Sequence, residues 1–305
     1  MSNLRVAMVV PTYNGGDIWK KSAASIRNYF SGDILVIDSG SKDDTVSIAN
    51  EMGFSVLGIN SRDFNHGGTR NLGLRQLASS GDIVFFMTQD AILNDAESIE
   101  NMIAMFDADD QLAAIYGRQI PHDDANVIAR HARNFNYSDR SYVVSKESGK
   151  PLGIKAVFMS NSFSAYRVAI FEKLGGFAEN TILCEDMLFA ANALSAGYKV
   201  GYAANAVAKH SHNYTAVDEF SRYFDIGVFH QEQSWIRRDF GRAGGEGKKF
   251  ILSEMRFVLK RQPLYLIQAF INNGAKFLGY QLGKRYKRLP LSLSKKFSMH
   301  KKYWK

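Results

Sequence analysis

The first 120 residues alternate short, continuous apolar runs with amphipathic stretches, and few folds accommodate that alternation. Val6-Ala7-Met8-Val9-Val10 is apolar throughout and is stopped by Pro11, with Asn14-Gly15-Gly16 as a turn. Ile34-Leu35-Val36-Ile37 repeats the pattern ahead of Asp38-Ser39-Gly40-Ser41, and further runs occupy 55–59 and 83–87. Between them lie three helical patterns. The first opens at Asp17, placed as its cap, and carries Ile18, Ala23, Ile26 and Phe30; the others cover about 44–52 and 69–79. Strands apolar on both faces, alternating with helices, pack as a parallel sheet covered on both sides. Such sheets bind ligands at the carboxyl ends of their strands. Here those ends read Pro11-Thr12-Tyr13-Asn14, Asp38-Ser39-Gly40-Ser41 and Thr88-Gln89-Asp90, all polar, so chemistry is expected there.

Beyond this the pattern is mixed, with loops near 121–126 and 145–153, helices over 167–174 and 185–196, and a last strand over 199–208. A helix-rich part begins near Asp218, interrupted by a glycine cluster over 241–247 that reads as a linker. The chain has 305 residues and a single cysteine, Cys184, so an internal disulfide is excluded and a reducing compartment is expected. The opening residues read as strand and turn, not as a secretory leader. No apolar run approaches the roughly 18 residues of a spanning helix.

Individual residues leave alternatives open. Asp38 and Asp90, each ending an apolar strand, read either as caps of the following helices or as groups that accept a pyrimidine N–H or hold a divalent cation. Glu185-Asp186 opens a helical stretch, where a carboxylate either caps or stays ionised and competent as a base. His66 lies between Asn65 and Gly67-Gly68 at a helix entry suited to phosphate, or simply in a turn. His210 and His212 lie at the end of a strand and point the same way along an extended chain. His122, His131 and His230 read as structural or solvated, and Cys184 as a small hydrophobe.

Val9-Val10-Pro11-Thr12-Tyr13-Asn14 and Val36-Ile37-Asp38-Ser39-Gly40-Ser41-Lys42-Asp43-Asp44-Thr45 resemble the opening of a family-2 glycosyltransferase. Arg70-Asn71-Leu72-Gly73, the strand-end Asp90 and Cys184-Glu185-Asp186 follow in that family's order, and the resemblance covers about residues 4–215. Within the family, the segments 64–71, 88–91 and 210–214 are similar to bacterial rhamnosyltransferases that build surface polysaccharides. The resemblance implies an α/β GT-A fold, a nucleotide-sugar-binding sheet with helices on both faces. It implies a catalytic domain over 1–217, with a donor half to about 120 and an acceptor half after it, and a helical basic region over 218–305.

Carried over by position, it implies donor contacts from Pro11, Thr12, Tyr13, Asn14, Asp38, Ser39, His66, Arg70 and Gln89. Asp90 matches the last metal-ligating position of the family's Asp-x-Asp motif, and Thr88 stands where its first Asp would be. Mg2+ or Mn2+ would then be held by Asp90 with His210 or His212. Asp186 would be the general base, with Glu185 beside it positioning the acceptor or adjusting Asp186. The implied reaction inverts the anomeric centre, moving L-rhamnose from dTDP-β-L-rhamnose to a polyprenyl-diphosphate-linked saccharide. Another sugar from a UDP donor, or a non-catalytic nucleotide-binding membrane adaptor, are the alternatives.

Charge sharpens the view of the C-terminus. The net charge of +8 hides a split: from Met255 onward there are 13 Lys and Arg and no Asp or Glu, leaving −5 on the rest. Basic clusters such as Lys260-Arg261, Lys284-Arg285 and Lys287-Arg288 alternate with aromatic and aliphatic residues. That pattern suits an anionic membrane surface; the bland reading is a solvated basic face. No nucleic-acid recognition motif accompanies the charge, and no nucleic-acid partner is expected. The expected location is cytoplasmic, peripheral on the inner face of the cell membrane.

Overall fold

The computed structural model describes residues 3–241 and 245–304, so within the glycine cluster expected as a linker Arg242, Ala243 and Gly244 lie outside the described residues. The chain begins β1 (Val6–Thr12), α1 (Gly16–Tyr29), β2 (Asp33–Asp38), α2 (Thr45–Glu51), β3 (Ser55–Gly58), α3 (His66–Leu77) and β4 (Ile83–Met87). These four strands are parallel in the order β3-β2-β1-β4, and the register sets Thr12 beside Asp38. At the edge β3 is only partly buried, but β1, β2 and β4 bury both faces: Met8 and Val10 join one apolar layer with Trp19, Ile26 and Phe85, while Ala7 and Val9 join the other with Leu74, Phe86 and Tyr166. Side chains of period two, covered on both sides, are why these strands read as unbroken apolar runs.

The chain continues through β5 (Ile92–Leu93), α4 (Glu97–Ala108), β6 (Leu112–Ile120), α5 (Val127–Asn136), β7 (Tyr142–Val144), β8 (Phe163–Arg167), α6 (Val168–Lys173), α7 (Glu185–Ser195) and β9 (Lys199–Lys209). Among the described residues, all nine strands form one sheet. Here it is mixed: β8 runs antiparallel between β4 and β6, β9 is parallel to β6, and β5 and β7 pair antiparallel with β9. The antiparallel β8 brings the loop before it, with Ser160 and Asn161, to the end of the sheet where β4 delivers Asp90.

The C-terminal part consists of α8 (Ala216–Glu232), α9 (Ser234–Asp239), α10 (Glu246–Arg261), α11 (Leu266–Gly283) and α12 (Leu291–Phe297). Thr215 and Asp218 form a reciprocal capping box at the start of α8. Phe224, Phe229, Ile236 and Trp304 share one apolar cluster with the sheet, so these helices sit on the body. α11 lies close along α8 because glycines face the crossing: Gly279 and Gly283 abut the carbonyl oxygens of Phe220 and Phe224. A Cβ at Gly227 would fall 2.5 Å from the Tyr280 carbonyl oxygen. No described helix is long and apolar enough to cross a membrane.

Two local expectations change. Asp17 does not cap α1; the cap position is Gly15, and Asp17 lies in the first turn. The amides there are satisfied from across the crevice instead, Gly15 N donating to Thr45 Oγ1 (2.8 Å) and Gly16 N to Asp43 Oδ2 (3.0 Å). The helix expected from Thr69 begins at His66, because the Asn65 carboxamide accepts the Gly68 amide at 2.6 Å and caps it.

Candidate functional site

At the carboxyl ends of β1 and β2 a dense set of hydrogen bonds ties two loops together. Asp38 is buried and its carboxylate accepts from Gly40 N and Ser41 N, both at 2.9 Å, from Ser41 Oγ at 2.5 Å and from Thr12 Oγ1 at 3.1 Å. Ser39 donates to the Thr12 carbonyl through its amide and its hydroxyl. Asn14, at φ 45°, donates its amide to Ser41 Oγ and accepts from Lys42 N; Asn is among the few side chains that adopt the left-handed region readily. Gln89 clasps Tyr13 from the other side, accepting its amide at 2.7 Å and donating to its carbonyl at 3.1 Å. Pro11 is a paired strand residue opposite Ile37. The Tyr13 ring is thereby left outward, 52% exposed, on a fixed backbone. The Tyr13 ring is presented outward, and Thr12, Asp38, Ser39, Asn14 and Gln89 build the loops around it.

The second group forms at the start of α7. Cys184 precedes it in the left-handed conformation, φ 60°, which costs a non-glycine residue energy and turns the next two carboxylates inward. Glu185 is buried and pairs with the equally buried Arg70 at 3.1 Å; Asn161 donates its amide nitrogen to the same carboxylate at 2.9 Å. Burial opposes the ionisation of Glu185 most strongly, but the Arg70 guanidinium, His66 and the Asn161 carboxamide together outweigh it and hold the acid below the usual range. Asp186 is half-buried and accepts from Asn161 N (3.0 Å) and Met187 N (2.7 Å). Burial, with Glu185 next to it, pushes Asp186 up to about 7. A carboxylate poised near neutrality is matched to accepting a proton. Burial pushes the Cys184 thiol up as well, the opposite of what a nucleophilic thiolate needs.

The third group lies beyond β4. Asp90, His210 and His212 each offer a ligand atom, all within 4.8 Å of one another. Nε2 of His210 lies 3.4 Å, and Nε2 of His212 3.6 Å, from Asp90 Oδ2. Burial lowers the basicity of both imidazoles, His212 to about 4, so both are neutral at pH 7. The tautomer of His210 follows from Gln119. The Gln119 Oε1 accepts from the Arg133 guanidinium and lies 2.9 Å from His210 Nδ1, so Nδ1 carries the proton and Nε2 offers a lone pair. A lone pair opposite a carboxylate oxygen calls for a cation between them. Two imidazoles and one carboxylate therefore fit a divalent ion, and the nitrogen donors suit Mn2+ better than Mg2+.

Sequence reasoning reached Asp90 and left open which histidine joins it; the structure brings both. It missed the residues that connect the groups. Gln119 donates to Ser160 Oγ at 2.7 Å, and the next residue, Asn161, holds Glu185 and Asp186, so one short segment links the Asp90, His210 and His212 cluster to the 185–186 carboxylates. Asn161 is itself oriented by Ser164 and Tyr166, both donating to its Oδ1. Arg222, exposed on α8, lies 5.9 Å over the Tyr214 ring, which stacks on His212. No motif marks Gln119, Ser160, Asn161 or Arg222.

Arg70 and His66 sit with Glu185: Arg70 donates to the His66 carbonyl and pairs with Glu185, and the His66 ring packs edge-on against His300. Both glycines of Gly67-Gly68 are required by packing. Gly67 makes room for the Ala178 carbonyl, and Gly68 for the capping Asn65 side chain. Asp225 fixes the returning C-terminus by accepting from the amides of Met299 and His300.

Comparison with known proteins follows this geometry. Residues 7–175 match the model of "Glycosyl transferase family 2". The chain is 52% identical over 304 residues to the O-antigen chain rhamnosyltransferase RfbN of Salmonella typhimurium, covering 99% of this chain and 96% of that one. It is 50% identical over 300 residues to the O-antigen chain rhamnosyltransferase WbaN of Salmonella anatum, covering 97% and 95%. Among solved structures, the mannosyltransferase PcManGT of Pyrobaculum calidifontis, in complex with GDP-Man and Mn2+, aligns with a TM-score of 0.59 at 18% identity, over 100% of this chain and 86% of that one. TarS 1-349 of S. aureus in complex with UDP-GlcNAc aligns with a TM-score of 0.54 at 15% identity, over 93% and 91%. At those identities the likeness shows the fold, which is GT-A.

Proposed function

Because the chain belongs to glycosyl transferase family 2, we propose that it is an inverting rhamnosyltransferase of O-antigen synthesis with Asp186 as its general base. The single observation that carries the mechanism is the half-buried Asp186, raised to about 7 beside an ion-paired Glu185. Asp186 takes the proton of the acceptor hydroxyl as its oxygen bonds to the anomeric carbon, and the bond to the nucleotide oxygen breaks on the opposite face. Glu185, held by Arg70 and Asn161, stays ionised and keeps Asp186 basic. Tyr13 packs against the nucleobase while Thr12, Asp38 and Ser39 hold the loop that receives it. Asp90, His210 and His212 would hold a divalent ion, Mn2+ or Mg2+, which would supply neutralisation of charge on the departing diphosphate. Arg222, exposed beside this cluster, meets the same phosphates.

The named activity of two relatives at 52% and 50% identity supports L-rhamnose as the sugar and an O-antigen saccharide as the acceptor. The donor is then dTDP-β-L-rhamnose and the acceptor a polyprenyl-diphosphate-linked saccharide. We place the catalytic domain over 1–217, the basic helical region over 218–305, and the enzyme on the inner face of the cell membrane. The test is to offer the purified protein dTDP-β-L-rhamnose and UDP-sugars with a lipid-linked acceptor and to measure free nucleotide. Release of dTDP that requires the acceptor is expected. Release from a UDP-sugar alone moves the assignment to another sugar, and silence with every donor favours a non-catalytic adaptor.

A further inference from the structure

Helix α11 is built inside out. Its buried positions are Ala269, Asn272, Lys276, Gly279 and Gly283, small or polar, with Lys276 Nζ 3.2 Å from the buried Glu219 carboxylate of α8. Its bulky apolar residues face outward instead: Ile267 is 74% exposed, Phe270 75%, and Ile271, Phe277 and Leu278 more than half, with Leu264 at 93% in the turn before them. Their spacing places them on one continuous stripe of the helix. Lys276 is the sole charged residue in α11, and it points inward, so no charge interrupts the stripe. A contiguous outward apolar face of this kind marks a surface that meets a partner or a membrane.

Cations bracket the stripe. Arg256, Lys260 and Arg261 precede it at the end of α10, all exposed. Beyond its other end a groove of about 410 Å³ is lined by Gln231, Gln281, Lys284, Arg285, Lys287 and Arg288. It adjoins a second groove, of about 530 Å³, lined by Ser234, Arg237, Arg238 and Lys284. Neither lining contains a carboxylate.

We infer that the outward face of α11 lies in the surface of an anionic phospholipid bilayer, its apolar stripe among the acyl chains and the Lys284–Arg288 and Arg237–Arg238 grooves on the lipid phosphates. Apolar residues in line with flanking Lys and Arg are the pattern of a helix lying in a membrane interface. A second copy is a poor occupant, since it would bring two segments of 13 cations and no acids face to face. An anionic surface neutralises the same charges. The inference rests on the membrane reading of the proposed function and adds the surface that makes the contact. It also sets the geometry of catalysis: α8, against which α11 packs, carries Arg222 beside the ion-binding cluster, so docking holds that cluster at a fixed distance from the bilayer.

The full-length protein is sedimented with vesicles of phosphatidylcholine alone and of phosphatidylcholine mixed with phosphatidylglycerol. Binding to the mixed vesicles and little to the neutral ones is expected. The double variant Ile267→Ser with Phe270→Ser, at exposed positions, should weaken binding by about tenfold or more. Lys287→Glu with Arg288→Glu should weaken it by a similar factor, about fivefold for each cation lost. Both variants should turn over a water-soluble acceptor analogue at the wild-type rate. Equal sedimentation of wild type and variants, or no sedimentation of wild type, overturns the inference. So does a dimeric wild type that becomes monomeric in the Ile267/Phe270 variant, which makes the face a contact between copies. Wild type that binds vesicles but transfers no rhamnose removes the functional reading and leaves the docking face intact.

Discussion

Asp186→Asn lowers the rate of sugar transfer by a factor of about a hundred to ten thousand, the range expected when a positioned general base is removed. Donor affinity stays near the wild-type value, because the nucleotide loops contain no part of Asp186. The substitution also has a structural cost. Both carboxylate oxygens of Asp186 accept backbone amides, from Asn161 and Met187, and an asparagine turns an NH2 group toward one of them. That mismatch costs about 1–3 kcal/mol of stability, so the melting temperature and donor binding are measured beside the rate. A companion result comes from pH. The base works only when deprotonated, and burial with Glu185 raises Asp186 to about 7. Transfer should therefore fall about tenfold per pH unit below neutrality and level off above it. Glu185→Gln removes the neighbouring negative charge that contributes to the raised value and moves the acid limb to lower pH. An acid limb near pH 4 in the wild type, or full transfer by Asp186→Asn with wild-type donor binding, counts against the assignment.

Asp90→Ala is the second large effect. It deletes the one carboxylate of the ion-binding cluster and leaves two neutral imidazoles, which hold a hard divalent cation poorly. Ion binding followed by calorimetry should drop below detection, and transfer should fall by roughly a thousandfold, the worth of several kcal/mol of charge stabilisation. Chelation of the wild type with EDTA should reproduce the loss, and Mn2+ should restore the wild type and not the variant. Gln119→Ala gives a milder version, about ten- to a hundredfold in ion affinity, because it frees the His210 ring to rotate and to move its proton. Transfer by the wild type that ignores EDTA would remove the ion from the scheme.

Which parts of this were legible in the sequence follows from how each residue is held. β1, β2 and β4 were visible because they are buried on both faces and must be apolar nearly end to end, while β3, at the edge and partly buried, showed only as a short run. Asp38, Asp90 and the 185–186 pair were visible because they end or begin such elements. β9 was legible over 199–208, but β6 and β8 were harder: Gln119, Ser164 and Arg167 are polar residues inside strands, tolerated because each meets a specific partner. Those partners are distant in sequence, as with Gln119 and His210, 91 residues apart. Pattern alone cannot announce them. The same limit hid the C-terminal return, where His300 reaches His66. Helix α11 illustrates a different ambiguity. Its periodicity shows a stripe of large apolar residues, but a stripe has no label for inside or outside. Only the glycines at the α8 crossing and the inward Lys276 decide it.

The central claim is a direct displacement at the anomeric carbon with Asp186 opposite the leaving nucleotide. It is tested most directly by the configuration of the product. Wild-type protein is incubated with dTDP-β-L-rhamnose and the lipid-linked acceptor, and the new linkage is read by NMR. One displacement turns the β donor into an α-L-rhamnosyl product, and that is the expected result. A β-L-rhamnosyl product would require two displacements through a covalent intermediate and would contradict the role given to Asp186.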